Sequence, residues 1–161
     1  MTARLQPTAS QTVGPYFAIG LSRRPQNSLD AGGDGAVTLS GRVLDGEQAP
    51  VLDAMLEVWH PHGWGRCGTA DNGSYSFSLT KPEAADGQAP HVTLLVFARG
   101  LLKPVMTRVY FPDEPAANAS DPVLAGVGGA ERETLIAVVD GAGLRFDVCL
   151  QGDGQTAFFA L

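Results

Sequence analysis

Three histidines, three tyrosines and two cysteines make a short list of side chains that could bind a metal or attack a substrate. His60-Pro61-His62 sets two imidazoles two residues apart. On a strand both would project to one face, where they could chelate zinc or iron. The proline between them lacks a ladder donor and Gly63-Trp64-Gly65 follows, so the pair also reads as strand-end loop histidines. His91 opens a run after Ala89-Pro90, with Thr93 two residues on, and a single histidine there reads as a hydrogen-bonded structural residue. Asp113 and Glu114, directly before Pro115, are placed to cap a helix rather than to act as an acid/base pair. Cys67 and Cys149 form no CxxC and read as small core residues. Phosphate-binding glycine loops, HExxH and GxSxG are all absent. By themselves these residues name no complete catalytic constellation.

The elements that must position them show a period of two. From Ala36 onward, Val37, Leu39, Gly41 and Val43 fall on one face and Thr38, Ser40 and Arg42 on the other. The alternation returns at 52–58, 75–79, 92–96, 105–111, 144–150 and 156–158. Turn signals separate the runs, among them Asp45-Gly46, Asp71-Asn72-Gly73, Asp140-Gly141 and Gly152-Asp153-Gly154. This spacing predicts an all-β fold, an antiparallel β-sandwich of about seven or more strands. One or two short helices are expected, at 115–119 and 130–137. Residues 1–35, with Pro7, Pro15, Pro25 and a glycine-rich stretch, keep no period and read as an extended N-terminal arm with loops; residues 36–161 form the sandwich domain. Strands 92–97 and 105–111 carry apolar residues on both faces (Leu95, Phe97, Met106, Tyr110), so helices or another subunit must cover the outer one.

The bulk numbers bound the function. A chain of 161 residues with 44% hydrophobic and 17% charged residues is one ordinary domain, long enough to bury a core without disulfides or a structural metal. Eleven basic against seventeen acidic residues give a net charge of −6, which opposes nucleic-acid binding and calls for local positive charge if a substrate is anionic. No apolar run approaches membrane-spanning length, and the first residues contain no apolar signal core, so a cytoplasmic location is expected.

Longer stretches carry a resemblance. Ser10 to Leu21 (SQTVGPYFAIGL), Leu56-Glu57-Val58-Trp59, Ala89-Pro90-His91 through Phe97-Ala98-Arg99-Gly100-Leu101, Thr107 to Asp113, Ala117 to Leu124, and Arg145 to Gly152 follow one another in order. Together they resemble the alpha subunits of the protocatechuate 3,4-dioxygenase family, which belong to the intradiol ring-cleaving dioxygenases. The resemblance implies an enzyme in which non-haem Fe(III) activates a catechol toward O₂, giving 3-carboxy-cis,cis-muconate from protocatechuate. Catalytic chains of that family hold the iron with two tyrosines and a His-x-His pair. Here neither 63–70 nor 81–88 contains a tyrosine, and His91-Val92-Thr93 stands at the His-x-His position. The resemblance therefore implies no metal on this chain, with His91 a vestigial ligand position and Fe(III) bound by a partner beta subunit in a larger alpha–beta oligomer. It also implies that Thr12, Gly14, Pro15 and Tyr16 of the arm line the partner's substrate pocket. Arg99 would face the same cavity, where its fork can take a carboxylate.

Two other readings stand beside it. Ser40 to Asp45, Ala49 to Ala54 and Thr69 to Phe77 are similar to a generic transthyretin-like sandwich, a binding or structural module without enzymatic role, but that pattern covers only 37–79. A self-sufficient metalloenzyme would use His60, His62 and His91. Neither accounts for the arm and the Phe97-Ala98-Arg99-Gly100-Leu101 stretch.

Overall fold

The structure, a computed structural model, describes residues 7–14, 16–22, 26–29, 35–61 and 63–160. In chain order the elements are α1 (Tyr16–Leu21), β1 (Ser28–Leu29), β2 (Ala36–Leu44), β3 (Met55–His60), β4 (Gly63–Gly68), β5 (Ser74–Thr80), β6 (His91–Phe97) and β7 (Val105–Tyr110). There follow α2 (Pro115–Ser120), α3 (Pro122–Ala125), α4 (Gly129–Glu133), β8 (Val138–Asp140), β9 (Gly143–Arg145) and β10 (Val148–Cys149). One sheet has the order β1-β5-β2-β9-β8, with β10 also on β2; the other has the order β4-β3-β6-β7. The alternation read from the sequence sets which side chains lie between them. Leu39, Val43, Tyr75, Phe77 and Leu79 of the first sheet meet Leu56, Val58, Val92, Leu94, Val96 and Val109 of the second in one buried cluster. No described helix is long and apolar enough to cross a membrane.

Several elements differ from the sequence expectation, each for a local reason. Gly63–Gly68 is not a loop but a full antiparallel partner of β3, because Trp64 and Arg66 find cross-strand partners in Trp59 and Glu57. Both Arg66 Nε (2.9 Å) and Nη2 (2.5 Å) donate to Glu57 Oε1. His60 is accordingly the last residue of a strand rather than a loop histidine. The arm is not extended throughout, since Tyr16–Leu21 is helical; Ser28–Leu29 is extended and pairs parallel with β5. The run 144–150 divides into β9 and β10. Both keep one parallel register on β2 (Leu39 with Leu144, Val43 with Val148), but between them the Asp147 carboxylate accepts the Arg42 N–H (2.9 Å) in place of a backbone carbonyl.

The expected helix at 130–137 stops at Glu133. Leu135 and Ala137 are buried, and the backbone there turns to pair with β7: Tyr110 N–H donates to Leu135 O (2.9 Å), and Ala137 N–H to Tyr110 O (3.0 Å). The expected strand at 156–158 reduces to an isolated bridge between Phe159 and Met106. Glu114 sits at the N-cap of α2 but makes no side-chain cap; instead Lys81 Nζ donates to Asp113 Oδ2 (2.7 Å) and Glu114 Oε1 (2.5 Å). The capping acid is Asp121, ahead of α3. Its buried carboxylate accepts the N–H groups of Val123 (2.8 Å), Leu124 (2.9 Å) and Ala89 (2.8 Å).

Burial pushes the Asp121 carboxyl up, but the backbone donors of Leu124, Ala89 and Val123 outweigh it and hold the group below its usual value. A carboxyl depressed in the folded state contributes stability above its unfolded pKa of about 4, and that contribution is lost as the pH falls through the folded value. Asp121→Asn keeps one acceptor oxygen but sets its NH2 where the other accepts a backbone N–H, and is expected to cost about 1–2 kcal/mol at neutral pH. Urea unfolding at a series of pH values should show the gap between wild type and variant closing in acid.

Candidate functional site

The arm is tied to the turn that follows β6. Gly100 N–H donates to Thr12 Oγ1 at 2.8 Å, and the Phe17 ring lies 5.5 Å from that of Phe97. Phe17 N–H donates to Gly14 O (3.0 Å) and so begins α1. A cavity of about 190 Å³ remains between arm and turn, lined by Val13, Phe17, Phe97, Leu101, Leu102 and Pro104 among others. Gly14 is exposed with open space around it, and Tyr16 is 81% exposed on the first turn of α1. Pro15 lies outside the described residues. Arg99 follows Ala98 directly after β6; its guanidinium pairs through Nε with Asp53 Oδ2, and its side chain is 65% exposed. Thr12 and Arg99 are thus brought to one place, while Tyr16 presents its ring to solvent.

The second place of interest is the start of β6. A cavity of about 260 Å³ there is lined by Trp59, His60, Pro61, Glu83, His91 and Thr93 among others. His91 Nδ1 is 2.8 Å from Ala89 O, and the ring tilts against Tyr110 at 5.2 Å. Burial lowers the His91 pKa, with the Arg108 charge adding to it, against the hydrogen bond to Ala89 and the Asp121 charge. His60 is buried with Nε2 2.6 Å from Thr80 O. His62 lies outside the described residues.

These residues do not fit an Fe(III) ion. Among the described residues no group of three His, Cys, Asp or Glu could hold a metal. A hard trivalent ion needs anionic oxygen donors. Tyr75 has its hydroxyl donated to Phe146 O (2.5 Å), and burial pushes its pKa well above the usual value. Burial likewise raises Tyr110, whose hydroxyl sits between Arg108 Nη1 (3.2 Å) and Asp121 Oδ1 (3.3 Å). Arg108, opposite Thr93 in the ladder, adds a positive charge that acts on His91. The cysteines are free, and burial pushes the Cys67 thiol up to about 11, far from a reactive thiolate.

No protein-family model matches the chain. It is 38% identical over 192 residues to the protocatechuate 3,4-dioxygenase alpha chain of Burkholderia cepacia, with 96% of this chain and 98% of the relative covered. The chain belongs to the protocatechuate 3,4-dioxygenase alpha-chain family. A second member of the alpha-chain family, from Pseudomonas putida, is 37% identical over 195 residues and covers 96% of each chain. Both alignments run longer than this chain, so these alpha chains carry segments that it lacks. The beta chain from Burkholderia cepacia is more distant, 28% identical over 156 residues, with 74% of this chain and 66% of that one covered.

Solved structures share the fold of this alpha-chain family member. The dioxygenase domain of a carbohydrate-binding fusion protein from Streptomyces sp. SirexAA-E superposes with a TM-score of 0.60 at 24% identity, covering 91% of this chain and 99% of that one. Hydroxyquinol 1,2-dioxygenase from Pseudomonas putida DLL-E4 gives 0.62 at 20% identity, covering 91% and 68%.

Reading the sequence passed over one residue of the site. Asp53, the ion-pair partner of Arg99, lies in a turn far from it in the chain, within the Ala49 to Ala54 stretch whose pattern speaks for the sandwich and not for a site, so no local pattern could have marked its role.

Proposed function

We propose that this chain is the iron-free alpha subunit of a protocatechuate 3,4-dioxygenase, working in the cytoplasm in a larger alpha–beta oligomer. A beta chain holds Fe(III), and with it the chemistry of O₂ and ring opening. Thr12, Gly14, Pro15 and Tyr16 of the arm line the substrate pocket at the junction of the two chains, and Arg99 supplies the positive charge for the substrate's ring carboxylate. The single observation that carries this reading is the likeness to alpha chains along nearly their whole length. Two features of the site support it. Thr12 accepts the N–H of Gly100, the residue next to Arg99. The donor set around His91 suits a hydrogen-bonded structural histidine and not a trivalent ion.

In this arrangement the chain binds and orients. The protein carries −6 overall, so a carboxylate-bearing catechol is repelled at long range and needs a local cation near the entrance. The Arg99 fork matches a carboxylate geometrically, and its hydrogen bonds strengthen once a partner surface excludes water.

The test is to purify this chain alone, the beta chain alone and the two together, and to measure iron, visible absorption and protocatechuate cleavage on each. Iron and full activity are expected only where the beta chain is present, with activity highest in the pair. Stoichiometric iron with a phenolate-type visible band in this chain alone would overturn the reading.

A further inference from the structure

Arg99 is a long, exposed cation, and a free guanidinium at such a position would sweep through many rotamers. It does not stand free. Its Nε meets the carboxylate of Asp53, which is itself only 22% exposed. Asp53 lies in the turn between β2 and β3, and that turn is braced independently. The Thr69 hydroxyl donates to Val51 O (2.8 Å) and accepts the Ala54 N–H (3.1 Å), and Thr69 N–H donates to Ala54 O (2.9 Å). On the other side of Arg99, Gly100 is hydrogen-bonded to Thr12 of the arm. The arginine therefore stands between a fixed acid and a fixed segment of arm.

A guanidinium offers two edges to a carboxylate, one formed by Nε with a terminal nitrogen and one by the two terminal nitrogens. Contact at Nε leaves the second edge open, and no other acidic side chain among the described residues pairs with Arg99. We infer that Asp53 is a positioning residue: it grips Arg99 by its Nε edge so that the two terminal nitrogens are presented to the ring carboxylate of the substrate. This rests on the role proposed above for Arg99. The opposite arrangement, an acid that merely competes with the substrate for Arg99, predicts the opposite sign.

The experiment uses the assembled alpha–beta complex carrying Asp53→Ala, Asp53→Asn, Arg99→Ala or the Asp53→Ala/Arg99→Ala pair, with protocatechuate and catechol as substrates. Asp53→Ala should raise KM for protocatechuate about five-fold with kcat little changed, because a binding group has lost its orientation and the reacting centre is untouched. Asp53→Asn, which keeps the shape of the side chain and removes its charge, should lie between wild type and alanine. Catechol, without a carboxylate, should not register the change, and Asp53→Ala should add nothing once Arg99 is gone. A fall or no change in KM for Asp53→Ala, while Arg99→Ala raises it, overturns the positioning role and leaves that of Arg99 intact. An equal effect on catechol, or an additive effect in the double variant, also overturns it. Silence of Arg99→Ala itself overturns both.

Discussion

Arg99→Ala in the complex with the beta chain should raise KM for protocatechuate by about ten-fold or more and leave kcat nearly intact, the pattern of an interaction equally strong in ground and transition states. A charge-assisted bond to a buried carboxylate contributes about 1.5–3 kcal/mol, whereas the same contact in open solvent contributes a fraction of that. In the chain by itself the Arg99 side chain is largely exposed, so the effect depends on the partner surface closing over it. Catechol supplies the control, since it has no carboxylate and should be nearly indifferent. Tyr16→Phe should act in the same direction and more weakly, because only a hydroxyl is removed. A loss of equal size for both substrates, or one confined to kcat, would make Arg99 an interface residue and remove it from the substrate pocket.

Gly41→Ala is expected to destabilise the chain by about 3 kcal/mol or more, enough to unfold many domains of this size. A Cβ at that buried position would lie 1.9 Å from the Phe146 carbonyl oxygen and 2.6 Å from its carbon. The clash has no soft side, because that oxygen is fixed from a second direction by the Tyr75 hydroxyl (2.5 Å) and the Phe146 N–H is fixed on Ser40 O (2.7 Å). Relief would require lifting the segment that joins β9 to β10 away from β2 and opening the core beside Phe146 and Val148. Equilibrium unfolding of the purified variant measures this, and a midpoint equal to wild type would mean the crossing is far more compliant than its hydrogen bonds suggest.

The sequence made the sandwich legible wherever one face is buried and the other wet. Val37 to Val43 and Tyr75 to Leu79 carry that contrast, and each is a strand in the structure. It was silent where pairing rests on something other than hydrophobic contrast. Strand β4 reads Gly-Trp-Gly-Arg-Cys-Gly and owes its place to a Trp59–Trp64 stack (6.1 Å) and a Glu57–Arg66 ion pair, both visible only once β3 lies beside it. Residues 135–137 continue an apolar pattern that suits a helix, yet their backbone is taken by Tyr110 of a distant strand. At the site, the arm and Arg99 were legible through resemblance to a family, while the Thr12–Gly100 bond and the Asp53–Arg99 pair join segments that only the tertiary fold brings together.

The parallel register of β9 and β10 on β2 has a consequence for the order of folding. Those partners are separated by some 105 residues, so the inner edge of β2 stays bare on a nascent chain until almost the last strand has left the ribosome. The β3–β4 and β6–β7 hairpins need only local closure and can form long before that, whereas closing so long a loop is slow. A half-made chain therefore carries an open strand edge and an unsealed core at once, the combination that invites aggregation. Truncations that remove β10 should accumulate as insoluble material during synthesis even though every residue of the arm is present.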